Sequence, residues 1–276
     1  MRFSKYHALG NDYLVTSENS DFITSKIIMN LCSRHYGVGS DGLLVGPLTS
    51  DRANFRLRIF NPDASEAEKS GNGLRIFCRY LWDNNLVHDD PFTVETVGGI
   101  VSAEVIESGR FVKIDMGSVS FSSRDIPVTG HHRDVLMEEI QVSDACFKFC
   151  AVTIGNPHCV IPVEEATASL ANNYGSFIEK HTNFPNRTNV QFLQVIDRKN
   201  IKIEIWERGA GYTLASGSSS CAAASVAYRL GLCDKDITVH MPGGTISIEI
   251  DENYKVIMTG PVTHICNGEV SDECFT

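Results

Sequence analysis

The 276-residue sequence predicts an α/β (α+β) fold made of two similar halves. Three observations predict it. Several segments recur in the same order about 145 residues later in the chain. Each copy contains a run that alternates in the manner of a half-buried strand. After each run comes a polar, glycine-containing loop and then a stretch with helical character, so both halves have the same plan.

The repeats are specific in sequence as well as in order. The recurring pairs are HALGND (7–12) with VTIGNP (152–157), NFRLRIFN (54–61) with NIKIEIWE (200–207), FTVETVGG (92–99) with ITVHMPGG (237–244), and FVKIDMG (111–117) with YKVIMTG (254–260). The third pair ends at a Gly-Gly turn in each copy, which predicts a β-hairpin. Four matches in register indicate a duplication.

The repeats set the expected halves and helices. We expect an N-terminal half at 1–118 that also includes the tail 263–276, and a C-terminal half at 119–262, with 118–145 as the crossing. The predicted helices lie at 23–35, Leu74–Leu81, 166–181 and Cys221–Leu230. In the first of these, Ile27, Ile28, Leu31 and Cys32 share one face.

The composition excludes several classes of protein. With 24 basic and 34 acidic residues the formal charge is −10, which disfavours nucleic acid and anionic membranes as partners. No apolar run approaches the roughly 18 residues of a membrane span, and MRFSKYHALGND lacks the apolar region of a signal peptide. We therefore expect a soluble, cytoplasmic protein.

Neither a metal nor a cofactor is expected. The nine cysteines are odd in number and form no CxxC pair, so buried, reduced thiols are the simplest interpretation. The run GVGSDG (37–42) matches a dinucleotide-binding pattern, but it follows a predicted helix and precedes a strand, the reverse of the required order. No P-loop and no lysine in a clear pyridoxal context is present.

Two matching loops are the candidate site. Ser70-Gly71 lies nine residues beyond Asn61, and Ser216-Gly217 lies nine residues beyond Glu207. Each loop precedes a helix, whose first N–H groups and positive dipole end attract an anion. Taken singly, each Ser-Gly is an ordinary helix N-cap. As a pair facing one cleft, the loops could hold one carboxylate from both sides.

Such a cleft suits the inversion of a stereocentre. One face removes a proton from the carbon beside the carboxylate, and the other face delivers one. The carbanion that develops needs dense hydrogen bonding to the carboxylate and exclusion of water. The pattern therefore favours a racemase or epimerase acting on a small amino acid.

The motifs resemble one family along nearly the whole chain. The matching segments are FSKYHALGNDYLV at the start, RHYGVGSDGLL (34–44), RIFNPDASEAEKSGNGLR (58–75), GNPHCVI (155–161), NRTNV (186–190), ERGAGYTLASGSSSCAAA (207–224) and MTGP (258–261). They resemble the diaminopimelate epimerases. The resemblance implies two pseudo-symmetric halves, each a β-sheet wrapped around a central helix, with the active-site cleft between them. It also implies a PLP-independent isomerase that interconverts LL- and meso-diaminopimelate in the lysine and peptidoglycan precursor pathway, and a possible homodimer.

The resemblance also implies roles for individual residues. Substrate contacts fall on Asn11, Asn61, Asn156, Asn189 and Arg208, and the backbone cradle of the reacting carboxylate falls on Gly71, Asn72, Gly217 and Ser218. The distal end of the substrate would be held by the asparagines with Arg208 and Glu207. An arginine fork suits a carboxylate, and a glutamate suits an ammonium. The catalytic candidates are Ser70, Ser216, His158 and Glu207.

The chain departs from the family at the reacting groups. Serines 70 and 216 occupy the two positions at which the family has its catalytic cysteines. A thiol has a reference pKa of about 8.5, whereas an alcohol serves as a base only if another group takes its proton. His158 or Glu207 could do so for one serine, and no partner is evident for the other. Smaller departures are Ala64, Lys69 and the run Ser218–Ser220; Cys78 and Cys221 are expected to face the core.

Three hypotheses follow. The first is epimerisation of diaminopimelate, with serines that are natural or engineered. The second is racemisation or isomerisation of another small acid by a serine-based site, with Lys69 or His158 as an added base. The third is a binding protein that retains the cleft without proton transfer. Deuterium uptake at Cα separates the third hypothesis from the others.

Overall fold

A computed structural model describes residues 1–18 and 22–275, and the chain forms two compact units. The first contains Met1–Asp115 with Thr259–Thr276, and the second contains Met116–Met258. From the repeats in the sequence, the two divisions were expected after residues 118 and 262. The segment 118–145, expected as a crossing, belongs to the second unit.

The first unit is built mainly of strands. In chain order its elements are β1 (Arg2–Ala8), β2 (Asn11–Thr16), α1 (Ser25–Cys32), β3 (Leu43–Leu48), β4 (Phe55–Phe60), β5 (Glu66–Ala67), α2 (Gly71–Asp83), β6 (Phe92–Thr96), β7 (Gly99–Ile106) and β8 (Phe111–Ser118). Strand β8 crosses the division between the units.

The second unit repeats this order. Its elements are β9 (Glu138–Val142), β10 (Ala145–Thr153), β11 (Pro157–Pro162), α3 (Ala168–Glu179), β12 (Asn189–Asp197), β13 (Asn200–Glu207), β14 (Gly211–Thr213), α4 (Gly217–Arg229), β15 (Asp236–Met241), β16 (Gly244–Ile250) and β17 (Lys255–Pro261). The chain returns to the first unit at Thr259, within β17, and continues there as β18 (Thr263–Glu269) and a 3-10 helix at Asp272–Phe275.

Strand pairing is the same in both units. In the first, β1 pairs with β2 antiparallel, β2 with β3 parallel, β3 with β4 antiparallel, and β4 with β6 parallel. In the second, β10 pairs with β11 antiparallel, β11 with β12 parallel, β12 with β13 antiparallel, and β13 with β15 parallel. The outer strand also matches, since β18 pairs with β1 and β9 pairs with β10. The duplication predicted from the sequence is therefore a duplication of the fold.

One helix in each unit is buried nearly all round. Helix α2 contacts β1, β2, β3 and β7, and α4 contacts β10, β11, β12, β13, β15 and β16. Almost every residue of α2 from Gly71 to Leu81 is buried, and so is almost every residue of α4 from Gly217 to Ala227. A helix buried on all sides lies at the centre of its unit. The expected fold, a sheet wrapped around a central helix in each half, is confirmed.

Both central helices begin earlier than predicted. The sequence predicts that they begin at Leu74 and Cys221, whereas they begin at Gly71 and Gly217. Glycine and serine are poor formers of helix interiors, which delayed the predicted starts. In the first turn, however, this preference is outweighed by the serine cap that precedes each glycine.

The flanking helices are shorter than predicted. The helix expected at 23–35 is α1, and the one expected at 166–181 is α3. Thr24 and Thr167 cap their first turns by accepting backbone N–H groups. Of the predicted apolar face of α1, Ile28, Leu31 and Cys32 are buried, and Ile27 packs against the same cluster.

The nine cysteines are free thiols. Cys78 and Cys221 lie fully buried in α2 and α4, as expected from the sequence. Burial raises the pKa of the Cys78 thiol far above its ordinary value, so it does not replace a catalytic thiol.

Within residues 1–18 and 22–275, no cluster of three or more potential ligand side chains could hold a metal ion. No helix in that part of the chain is long and apolar enough to cross a membrane.

Gly175 gives a test of packing in the second unit. A Cβ at this position of α3 would lie 2.6 Å from both Cβ and Cγ of Trp206. We expect Gly175→Ala to lower the free energy of unfolding by about 1–3 kcal/mol, because the clash outweighs the better helix propensity of alanine. Chemical denaturation measures this. Asn172→Ala, at an exposed position of the same helix, is the control and should change stability by less than about 0.5 kcal/mol. Equal stabilities of the two variants would contradict the packing.

Candidate active site

Each of the two candidate serines caps a central helix. Ser70 Oγ accepts the N–H of Gly73 at 3.1 Å, and Ser216 Oγ accepts the N–H of Ser219 at 3.4 Å. Both serines have extended backbone, as the residue before a helix does. Each hydroxyl is therefore held at the positive end of a helix dipole, beside first-turn N–H groups that the helix itself leaves unpaired.

The third helical residue differs between the two loops. A Cβ at Gly73 would lie 3.2 Å from Leu44 Cδ2 and 3.3 Å from Ser70 Oγ, so glycine leaves room for the serine. Its counterpart Ser219 is fully buried, and its Oγ accepts a hydrogen bond from Gln191 Nε2 at 3.0 Å. The start of α2 is thus packed by an apolar side chain, whereas the start of α4 is packed by a polar pair.

In the first unit, two asparagines meet beside Ser70. Asn72 Nδ2 donates to Asn11 Oδ1 at 2.9 Å, and Asn11 Nδ2 donates to Asp41 Oδ2 at 2.9 Å. The buried Arg75 donates from Nη2 to Asn72 Oδ1 at 2.7 Å. Asn11 reaches this position because Gly10, at φ +91°, makes the turn between β1 and β2. The structure therefore brings Asn11 to Asn72, which lies two residues beyond Ser70.

The second unit has a corresponding cluster. Gly155, at φ +101°, makes the turn between β10 and β11 and so places Asn156 at its end. Asn156 Nδ2 donates to Ser218 Oγ at 3.5 Å. His158 Nε2 lies 3.0 Å from Asn156 Oδ1 and donates to it in this side-chain orientation. Asn156, Ser218 and His158 thus form one hydrogen-bonded group at the start of α4.

His158 is a neutral imidazole in the interior. It is fully buried, and burial lowers its pKa to about 3. The positive charge of Arg208 lowers the pKa further, whereas the Gln191 amide opposes the shift. Within the described residues, neither His158 Nδ1 nor Gln191 Oε1 makes a hydrogen bond of ordinary geometry. The effect of burial on the pKa of His158 therefore outweighs the effect of the Gln191 amide. The ring fixes the Asn156 amide and is a weak base.

The side chains expected to hold the far end of a substrate bond to nearby protein groups. Asn61 follows β4, and its Nδ2 donates to Ser65 Oγ at 2.9 Å. The buried Asn189 accepts the Arg208 N–H at 3.0 Å, and its Nδ2 donates to the Pro157 carbonyl at 2.9 Å. Asn189 therefore ties the start of β12 to the loop that carries Arg208.

Glu207 is the last residue of β13, and Arg208 lies in the tight turn that follows. Glu207 Oε2 accepts the Thr213 hydroxyl at 3.4 Å. The guanidinium of Arg208 is exposed and donates from Nη1 to the Asn186 carbonyl at 3.2 Å. An exposed fork of this kind can bind a carboxylate.

Glu179 supports the same turn and was missed by the sequence analysis. It is buried at the end of α3, where it accepts the Gly209 N–H at 3.1 Å and the Trp206 Nε1–H at 2.9 Å. A salt bridge from Arg187 at 3.6 Å partly balances its charge. Its position in a predicted helix gave no sign of this role, because the contact depends on how α3 packs on β13.

Tyr13 was also missed. Its hydroxyl lies 3.3 Å from Ser70 Oγ, and the residue is 6% exposed. A signal was present in the sequence, because the displacement of about 145 residues aligns Tyr13 with His158. The two units therefore place different polar rings at the same point of the fold.

Solved structures resemble this chain in fold. A probable proline racemase from Agrobacterium radiobacter, solved with bound carbonate, has a TM-score of 0.73 and 15% identity over 98% of this chain and 93% of its own. A hydroxyproline epimerase from Agrobacterium vitis, with bound trans-4-hydroxy-L-proline, has a TM-score of 0.72 and 13% identity over 97% and 91%. A PhzF-family phenazine biosynthesis protein from Bacillus anthracis has a TM-score of 0.67 and 18% identity over 98% and 99%.

Sequence comparison gives the family. The family model described as diaminopimelate epimerase matches residues 3–122 and 150–265. Diaminopimelate epimerase 2 of Nostoc sp. is 57% identical, with 100% of this chain and 97% of that protein covered. The diaminopimelate epimerases of Moorella thermoacetica and Methanococcus maripaludis are each 39% identical, with 98% of this chain and 99% of each relative covered. The chain belongs to the diaminopimelate epimerase family.

Proposed function

We propose that the chain is a cofactor-independent isomerase that epimerises diaminopimelate between its LL and meso forms. The observation that carries the proposal is the matched pair of serine-capped helix starts, one in each unit. Full-length relatives that bear the name diaminopimelate epimerase support the choice of substrate. The chain would then serve the synthesis of lysine and of peptidoglycan precursors.

The proposed mechanism begins with the reacting carboxylate. The first-turn N–H groups at Gly71 and Asn72 of α2, and at Gly217 and Ser218 of α4, would bind it. These donors stabilise the charge that moves onto the carboxylate when Cα loses its proton. Because the amide dipoles are fixed by the helices, they need no rearrangement during the reaction.

The proton transfers would use the two serines. One hydroxyl oxygen takes the Cα proton from one face, and the other hydroxyl delivers a proton to the opposite face. This requires Ser70 and Ser216 to act on one substrate molecule. The resemblance implied cysteines at these positions, so serines in the same place need help to ionise.

The distal end of the substrate would be bound by the turn after β13. Arg208 offers an exposed guanidinium for the second carboxylate, and Glu207 offers a carboxylate for the second ammonium. Asn61 and Asn189 would contribute amide groups after exchanging a present hydrogen bond for one to the substrate.

Two further properties are proposed from the family and the charge. A net charge of −10 and an amino-acid substrate both suit a cytoplasmic protein. We also propose that the chain assembles as a homodimer.

A specific observation favours a second candidate, the racemisation of a smaller amino acid. The amides of Asn61 and Asn189, expected to hold a distal substrate end, bond to Ser65, Pro157 and Arg208. A substrate without a distal end would leave these bonds intact. A panel of amino acids tested beside diaminopimelate separates the two candidates.

Exchange in deuterium oxide tests the proposed function. We expect the protein to replace the α-proton of LL-diaminopimelate with deuterium while it forms the meso isomer, as followed by proton NMR. Ser70→Ala and Ser216→Ala should each lower the rate of inversion by on the order of 100-fold or more. Each variant keeps one base, so each should still exchange the α-proton of one epimer, and the two variants should differ in which epimer that is.

The control for this experiment is Ser225→Ala. Ser225 is a buried serine of α4 whose hydroxyl donates to the Cys221 carbonyl, away from the helix start. This variant should retain exchange. Tight binding of diaminopimelate without any exchange would contradict the proposal and would indicate a binding protein. Exchange that survives loss of both hydroxyls would exclude a serine-based mechanism.

His158 would position Asn156 rather than serve as the base for Ser216. With a pKa of about 3 it stays neutral and takes up a proton poorly at neutral pH. Its hydrogen bond to Asn156 Oδ1 turns the Asn156 amide toward Ser218. In this proposal His158 is therefore a positioning residue and does not take the proton of Ser216.

The pH dependence of stability tests the state of His158. Its pKa is about 3 in the folded protein against an ordinary value of 6.5, so below pH 6.5 the unfolded chain binds a proton that the folded chain does not. The contribution of His158 to the free energy of unfolding is complete above pH 6.5. It falls by about 1.4 kcal/mol for each pH unit as the pH drops toward 3. His158→Gln should remove that slope in denaturation curves. His131→Gln, at an exposed position, should leave the slope in place, and an unchanged slope in His158→Gln would refute the assignment.

A further inference from the structure

The two candidate serines have different neighbours. Ser70 Oγ lies 3.3 Å from the hydroxyl of Tyr13 and accepts the Gly73 N–H. At the equivalent point of the second unit, His158 bonds to Asn156. Matching positions of the duplicated fold therefore carry a phenol beside Ser70 and an imidazole bonded to Asn156.

Tyr13 is held firmly in its place. It lies in β2, opposite Tyr6 of β1, and is nearly buried. A Cβ at Gly42 would lie 2.5 Å from Tyr13 Cε1, so the ring fills the space that this glycine leaves. The phenol is therefore confined near Ser70 by packing on its ring.

The chemistry of the pair answers the problem that serine poses. A phenol has a reference pKa of about 10 and is much more acidic than an alkyl alcohol. When a phenol and an alcohol share a hydrogen bond and the pair has lost one proton, the negative charge rests on the phenol oxygen, because the phenol is the stronger acid. A serine beside a tyrosine can therefore gain or lose a proton without carrying a free alkoxide.

We propose that Tyr13 is the proton partner of Ser70 in the epimerisation, an inference that rests on the proposed function. In the base direction, Ser70 Oγ takes the Cα proton, and the electron pair of the C–H bond stays on Cα. The step begins with Tyr13 as a phenolate, whose proton has been released to water. The original hydroxyl proton of Ser70 passes to that phenolate at the same time and makes it a neutral phenol. In the acid direction each transfer is reversed, so protons and charge balance.

The first test does not depend on the substrate. In Ser70→Cys, the Tyr13 hydroxyl would donate to the introduced thiolate and stabilise it, since hydrogen bonds to charged groups are strong. Adding Tyr13→Phe removes the hydroxyl and keeps the ring. We expect alkylation of this thiol by iodoacetamide to slow by about tenfold, as measured by mass spectrometry of the peptide containing position 70.

Native cysteines provide the internal control. Cys146 and Cys266 are exposed, and their alkylation in the same samples should not change with Tyr13→Phe. Circular dichroism establishes that the variants fold. An unchanged rate at position 70 would overturn the inference, and so would an equal change at all three thiols.

The second test uses turnover of diaminopimelate. In the protein with Ser70, Tyr13→Phe should lower kcat by about 100-fold with little change in KM. In the Ser70→Cys protein, the same substitution should lower kcat much less, because a thiol ionises without the phenol. Tyr6→Phe is the matched control, since this buried hydroxyl bonds to Asp83. An equal loss in both backgrounds would mean a structural role. If the unaltered protein does not exchange diaminopimelate, the proposed function fails while the alkylation test still decides on Tyr13.

Discussion

The hydrogen bond between a serine Oγ and the N–H three residues later is the interaction on which the rest of the site depends. It occurs at the start of α2 and again at the start of α4. It fixes where each buried central helix begins, and it holds a hydroxyl at the positive end of that helix. Gly71 and Gly217 follow the two serines directly. Asn11 and Asn156, after the turns that end β1 and β10, bond to the first-turn residues Asn72 and Ser218.

The duplicated caps have diverged in what surrounds them. In the first unit the cap is packed by Leu44 and Gly73 and faces the phenol of Tyr13. In the second, Gln191 and Ser219 form a buried hydrogen bond in the equivalent layer. One backbone plan thus supports two chemical environments.

Much of the fold could be predicted because duplication leaves a pattern in the sequence. The repeated strand and glycine-turn segments gave the order of elements and the central helices. The starts of α2 and α4 were predicted late, because Gly71 and Gly217 have low helix propensity and only the cap makes them helical. Local sequence carries propensity, whereas the cap depends on three-dimensional hydrogen bonding.

The loops and turns that carry the candidate residues could be predicted because they are repeated, and the contact between Asn11 and Asn72 joins one such turn to one such loop. The chemistry of the candidate residues was less predictable. Burial of His158, which makes it a weak base, is a result of packing that one sequence does not express. The Tyr13 contact likewise depends on a ring that reaches from β2 to the start of α2.

The central proposal is that one carbon atom of the substrate reacts with both serine hydroxyls. A crystal structure of the complex with an α-methyl analogue of diaminopimelate, which has no α-proton to lose, tests it most directly. The account predicts that the α-methyl carbon lies within about 3.5 Å of one of Ser70 Oγ and Ser216 Oγ, and that Cα lies within about 3.5 Å of the other on the opposite face. A complex in which the analogue binds with only one serine, or neither, within that distance would contradict it.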